Sequence, residues 1–298
     1  MSYEQSLSKF IISIKENKFP LPKIQLSTIG KLTVSVCYDQ ESSAVMNNEA
    51  TTGMDLEPAL ATLKALTEYF ERKTFQFGVY RKDKACINTN SDGVACMPRH
   101  EDNFEFKAKE NALNEAIERY VWATWWDDTR SYFDLVEFKK SELYLKSPIV
   151  TELDELIKYL EGIIEVDTIY LIKPGFEVSL IQKSEKNVFV LLLKTKIGGF
   201  ISGGACEGIT NTDKALIRSL SELIRHTLGY NRFLNSELNP QSFYEKRLYY
   251  FASGEGRQLV NERLNKKGTS KIKLPELEVD RSIESFYDSI TYTHRSLF

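Results

Sequence analysis

Two stretches, ALTEYFERKTF (residues 65–75) and ALNEAIERYVW (residues 112–122), decide how this chain is read. Each places a glutamate, a second glutamate three residues on, and an arginine directly after it. Positions i and i+3 share one face of a helix, so Glu68 and Glu71 point together, as do Glu115 and Glu118. Leu63, Leu66, Tyr69, Phe70 and Phe75 surround the first pair, and Ala112, Leu113, Ile117, Tyr120, Val121 and Trp122 the second. Helices this apolar are expected to be largely buried, and buried carboxylates require cations or a metal. Arg72 and Arg119 supply half of the opposing charge. The plainer reading is an exposed helix carrying weak Glu–Arg surface pairs, and for a single copy it is the stronger one. Repetition behind the same Ala-Leu-x prefix weakens it. A third stretch, SLSELIRH (219–226), puts Glu222 in the place of Glu68 and Glu115, with Arg218 one turn earlier. Three helices each offering an inward carboxylate make a hard-oxygen cage suited to Mg²⁺. Acids with interspersed arginines point to a magnesium-bound nucleotide rather than to a metal alone.

The bulk numbers bound the answer. A chain of 298 residues with 42% hydrophobic content builds one large domain or two ordinary ones. A net charge of −3 gives no global basic field, so nucleic acid is not an expected partner. No apolar run reaches the roughly 18 residues of a membrane span, and MSYEQSLSKFIISIKENKF reads as an amphipathic helix rather than a secretion signal. Cys37, Cys86, Cys96 and Cys206 are scattered, which suggests neither a disulfide framework nor a zinc site, and His100, His226 and His294 lie far apart. The cytoplasm is the default location.

KLTVSVCY (31–38) reads as a strand and ESSAVMNNEATTGMD as a loop around Gly53. Residues 57–77 read as a helix with Pro58 near its start. A short strand near 85–89 leads into TNSDGVACMP, a turn-rich loop around Gly93, and then a helix from about 103 to 126. TELDELIKYLEGI (151–163) is an amphipathic helix with Thr151 as N-cap. DTIYLIK, FEVSLIQ and NVFVLLLKTK read as strands, the last two joined by a turn at 183–186. GGFISGGACEGI (198–209) is a Gly-rich strand and loop before a helix at 212–229 that ends at Gly229. Residues 236–298 read as mostly helical. Strands and helices interleave without a low-complexity linker, so a layered α/β or α+β domain is expected, a single one over residues 1–298.

In order and spacing, three blocks resemble the YcaO family. They are TTGMDLEPALATLKALTEYFER, SDGVACMP with KAKENALNEAIERYVWATWW, and GGACEGITNTDKALIRSLSELIRH, spanning roughly residues 51 to 230. The resemblance implies a YcaO-like α+β fold with mixed sheets and carboxylate-bearing helices around a site for ATP and Mg²⁺. It implies that Glu68, Glu71, Glu115 and Glu118 hold Mg²⁺ and the triphosphate, that Arg72 and Arg119 contact or neutralise phosphate, and that Ser91, Asn111 and Glu222 lie at the nucleotide or its metal. The chain departs from the pattern at Lys107, where a glutamate is usual, and at Asp92, where asparagine is usual. It departs again in Gly203-Gly204-Ala205-Cys206-Glu207, which lacks the histidine, at Arg225, where glutamine is usual, and in ending HRSLF rather than in a Pro-rich tail.

The family's chemistry implies ATP-dependent O-phosphorylation of a peptide backbone amide, giving azolines on a ribosomally made precursor peptide. The alternatives are a thioamide or an amidine by the same activation, a nucleotide-binding subunit without chemistry, or a structural protein whose acids are surface ion pairs. The resemblance also implies a separate leader-binding partner protein and leaves a homodimer open. No catalytic base is legible. His226 and Cys206 are candidates for proton transfer and a reactive thiol, and for both the structural role is the plainer reading. Trp122, Trp125 and Trp126 read as core more readily than as a peptide groove.

Overall fold

The computed structural model describes residues 1–30, 32–39, 51–77, 92–137, 150–177, 186–208, 212–235, 240 and 243–298. They fall into two compact units, one of residues 1–119 with 277–298 and one of residues 120–276.

In the first unit, helix α1 (Tyr3–Glu16) opens with a capping box: the Gln5 N–H donates to Ser2 Oγ and the Ser2 N–H to Gln5 Oε1. Strands β1 (Lys23–Ile29), β2 (Leu32–Tyr38) and β3 (Thr51–Asp55) form an antiparallel sheet in that order. Helix α2 (Pro58–Phe77) lays Leu63, Leu66, Tyr69 and Phe70 into a core with Phe10 and Ile14 of α1 and with Cys37, Cys96, Tyr287 and Ile290. A second antiparallel sheet has the order β11 (Val279–Ile283), β12 (Thr291–Leu297), β4 (Asp92–Pro98). Helix α3 (Phe104–Asp127) begins in this unit.

The second unit is built on an antiparallel sheet of β5 (Phe133–Glu137), β6 (Val166–Pro174), β8 (Lys186–Thr195) and β9 (Phe200–Gly208) in that order, with a small parallel pair of β7 (Phe176–Glu177) and β10 (Ile272–Lys273). Its helices are α4 (Val150–Ile163), α5 (Thr212–Asn235), α6 (Phe243–Ala252) and α7 (Arg257–Asn265). Trp125 is fully buried, stacked on Trp122 at 4.5 Å and edge-on to Phe133 at 5.3 Å, with the Arg263 guanidinium 4.4 Å from its ring centroid. Trp125 is therefore core, while Trp122 and Trp126 beside it are half-buried.

One contact recurs where helices meet strands. A Cβ added at Gly53 of β3 would lie 1.9 Å from the Ala61 carbonyl oxygen and 2.6 Å from the Ala65 nitrogen. At Gly93 of β4 it would lie 1.9 Å from the Ala112 oxygen and 2.3 Å from the Ala116 nitrogen. At Gly203 of β9 it would lie 2.2 Å from the Ser219 oxygen and 2.3 Å from the Leu223 nitrogen. Each glycine lets a helix backbone rest directly on a strand, where any side chain would hold it off.

These contacts explain why the sequence misleads locally. The segments around Gly53 and Gly93 carry turn-type composition, yet residues 51–55 and 92–98 are strands, because their glycines serve helix approach rather than chain reversal. The third motif helix does not stop at Gly229 but runs to Asn235. Buried Tyr230, packed on Tyr249 at 5.9 Å, carries it past a glycine that costs a helix only about 1 kcal/mol. Helix α4 starts at Val150, so Thr151 lies inside its first turn and is not its cap. Residues 236–298 are not mostly helical: after α6 and α7 they end in β10, β11 and β12. Strand β12 is buried at most positions, so it shows no alternation to read. Of FEVSLIQ only Phe176–Glu177 is described as strand, and the strand near 85–89 and residues 183–185 of the expected turn lie outside the described residues.

Replacing Gly93 with alanine forces helix α3 off β4, and we expect a loss of about 1–3 kcal/mol or more in urea unfolding. Gly162→Ala in α4, where an added Cβ meets nothing within 4 Å, is the control and is expected to stabilise by about 0.5–1 kcal/mol.

Candidate functional site

Helices α2 and α3 bring their paired acids together in the first unit. Arg72 binds Glu68 and Arg119 binds Glu115, each one turn along its own helix. The Glu68 and Glu115 side chains are 24% and 31% exposed, so the acids are half-buried and reachable rather than enclosed as the apolar flanks suggest. Strand β4 anchors the α3 pair. The Val94 N–H donates to Glu115 Oε2 at 2.9 Å, and Arg119 Nη1 donates to the Asp92 carbonyl at 2.8 Å. The Asp92 carboxylate receives both prongs of Arg295, at 2.9 Å each.

Among the described residues the acids of this cluster outnumber its arginines. Glu71 keeps some contact with solvent, yet the surrounding protein desolvates it. Desolvation, then repulsion by Glu115 and Glu68, hold its carboxyl well above the usual range, and Arg119 and Arg72 offset only part of this. Burial opposes the Arg119 charge, but Glu115, Glu118, Glu71 and Asp92 outweigh it and raise its pKa. Among the described residues no three acid, His or Cys groups stand as they would around a metal ion. The donor set nevertheless fits Mg²⁺ chemically: among the described residues it is all hard oxygen, holds more acids than arginines, and includes a carboxylate that its neighbours repel.

Glu222 lies on α5 in the second unit. Arg225 Nη2 is 2.7 Å from its carboxylate and His226 Nε2 is 3.6 Å away. Burial pushes Glu222 up, but Arg225, His226 and Arg218 outweigh it and lower its pKa. His226 Nδ1 lies 2.6 Å from the Ser202 carbonyl, which can only accept, so this nitrogen carries a proton. Burial lowers the pKa of His226 against the pull of Glu222. Glu207 of β9, nearly fully buried, binds Arg218 and Lys214.

Judged by the glycine contacts, α3 and α5 share one register. Glu115 and Glu222 each stand three residues after the residue whose carbonyl meets the strand glycine. In α2 the corresponding residue is Lys64, which donates to the Met54 carbonyl and to Asp55, so Glu68 sits one turn further along. The sequence alignment of Glu68 with Glu115 and Glu222 therefore differs from the structural one by a turn.

Of the other expected site residues, Ser91 lies outside the described residues. Asn111 is exposed, and its amide nitrogen lies 3.8 Å from Met97 Sδ. Lys107, where the pattern has an acid, pairs with Glu101 at 3.1 Å. Cys206, like Cys37 and Cys96, is a buried thiol, and burial pushes Cys37 and Cys96 up to about 12. Sequence reasoning missed Arg295 and the Glu207–Arg218 pair. An acid at position 92, beside a glycine that must be buried, was the available signal for a cation elsewhere in the chain. Among the described residues no helix is long and apolar enough to cross a membrane.

Comparison of the sequence with models of known protein families and with curated proteins gives no match. Solved structures do match. YcaO from Methanopyrus kandleri, bound with AMPPCP and Mg²⁺, superposes with a TM-score of 0.56 at 14% identity over 100% of this chain and 90% of that one. A chain of the E. coli microcin synthetase McbBCD complex with pro-MccB17 bound gives 0.61 at 14% identity over 94% and 88%. The chain has the α+β fold of YcaO proteins.

The raised pKa of Glu71 has a consequence for stability. Between the ordinary glutamate range and that raised value the folded state holds a proton the unfolded chain has lost, so stability falls as pH rises through this window. Glu71→Gln is expected to flatten that dependence and to melt above the wild type at the upper end of a scan from about pH 5 to pH 8 without ligand.

Proposed function

We propose that this chain uses ATP and Mg²⁺ to activate a backbone amide of a ribosomally made peptide. The observation that carries the proposal is the cluster of half-buried carboxylates on α2 and α3, outnumbering their arginines among the described residues, within a YcaO fold. The structural neighbours support it: one binds AMPPCP and Mg²⁺, and the other is part of a synthetase complex holding a precursor peptide.

On this reading Glu68, Glu71, Glu115 and Glu118 hold Mg²⁺, which screens the triphosphate and its developing charge. Arg72 and Arg119 contact phosphate oxygens, with Ser91, Asn111 and Glu222 at the nucleotide. The two units work as one functional domain. A Cys, Ser or Thr side chain of the peptide attacks the preceding carbonyl carbon and loses its proton. The resulting oxyanion takes the γ-phosphoryl group of ATP, leaving ADP. Collapse of the phosphorylated adduct expels phosphate and the amide N–H proton, and an azoline ring remains. The enzyme's contribution is electrostatic and positional: an amide oxygen leaves poorly as oxide and readily as phosphate. No nucleophile from this chain is required. Sulfide or an amine in place of the side chain would give a thioamide or an amidine by the same route. A leader-binding partner protein presents the peptide, and the demand for ATP places the reaction in the cytoplasm.

The test is incubation with ATP, Mg²⁺, a leader-binding partner and a Cys/Ser/Thr-rich precursor peptide, read by mass spectrometry. A loss of about 18 Da per site reports ring closure, and a gain of about 16 Da with sulfide present reports thioamide formation. Nucleotide-dependent thermal stabilisation without any mass change would replace the proposal with a non-catalytic binding role. Glu115→Gln is expected to abolish the mass change and to weaken Mg·AMPPCP binding by about tenfold or more in calorimetry.

A further inference from the structure

We propose that Arg295 of β12 is a positioning residue of the acidic site: it clamps β4 so that the backbone of β4 fixes the Glu115–Arg119 pair. Strand β4 is the edge of its three-stranded sheet. In an antiparallel strand the N–H and C=O of one residue point to the same side, and the side alternates along the chain. Asp92 and Val94 turn theirs away from β12, and side chains of α3 meet one group of each residue. The Asp92 carbonyl accepts from Arg119 at 2.8 Å and the Val94 N–H donates to Glu115 at 2.9 Å. The pair is thus held by two main-chain groups of one short segment.

Arg295 grips that same segment. It stands directly opposite Val94 in the β4–β12 register. Its guanidinium donates Nε to Asp92 Oδ1 and Nη2 to Asp92 Oδ2, both at 2.9 Å. The two side chains are 3% and 7% exposed, so the pair is buried and two-pronged, a geometry that a lysine cannot reproduce. Arg295 also pairs with an acid whose charge is felt by Arg119. Arg295 touches neither Glu115 nor Arg119 in any of these contacts; its influence runs through β4.

The effect on nucleotide binding rests on the function proposed above, whereas the effect on β4 does not. The full chain is compared with Arg295→Lys and with the double variant Asp92→Asn/Arg295→Met. Amide hydrogen exchange over residues 92–98 and calorimetric titration with Mg·AMPPCP are the readouts. Arg295→Lys is expected to fold, to exchange faster at residues 92–95, and to bind nucleotide about tenfold more weakly. The double variant removes both buried charges and is expected to regain wild-type melting. It should nevertheless keep the fast exchange and weak binding, which a purely structural ion pair would not produce. Wild-type exchange and affinity in either folded variant overturn the proposal. If the wild type binds no nucleotide, the functional reading falls, and the exchange comparison alone decides whether Arg295 holds β4: faster exchange in the variants upholds it, and unchanged exchange overturns it.

Discussion

A helix backbone can lie against a strand only where the strand offers no side chain. Gly53, Gly93 and Gly203 provide that opening for α2, α3 and α5, and the carbonyl and amide that fill it leave no room for a methyl group. The acidic residues follow from this contact. Glu115 and Glu222 come less than one turn after the point where the helix touches its glycine, which in α3 brings the carboxylate back to the strand. In α3 the result is visible as a hydrogen bond between the Val94 amide and Glu115, one residue beyond the glycine itself. In α2 a lysine takes that place, and the acids begin a turn later.

Helices α2 and α3 carry counterions for their own acids, but among the described residues the arginines are outnumbered. Arg72 serves Glu68 and Arg119 serves Glu115, which leaves Glu71 facing two neighbouring carboxylates. A helix can bring an arginine to an acid only from three or four residues away, so one arginine per helix cannot balance two acids. On the function proposed above, that negative charge would receive a divalent cation, and the arginines would turn to phosphate oxygens.

Three departures from the YcaO pattern have local electrostatic partners. Asp92 has Arg295, Lys107 has Glu101, and Arg225 has Glu222. Each brings its opposite charge with it, so none leaves a buried ion uncompensated. Arg225 differs from the other two because its partner is one of the motif acids, where it stands as a built-in cation beside His226.

The sequence by itself determined the helices and their acids. The i, i+3 spacing and apolar flanks of residues 58–77 and 104–127 are local properties, and both helices form where that periodicity places them. It also carried the three-block order that matches the fold. It did not determine the strands beside those helices, since glycine-rich segments read as turns until a helix is known to rest on them. Nor did it determine the acids' exposure, the one-turn offset of α2, or the role of the C-terminal strand. Only the tertiary structure decided these. Asp92 and Arg295 are 203 residues apart, and no local pattern links two charges that meet through strand pairing. Periodicity fixes which residues share a face; the partner that meets that face, and the charge it brings, is settled by the packing of distant segments.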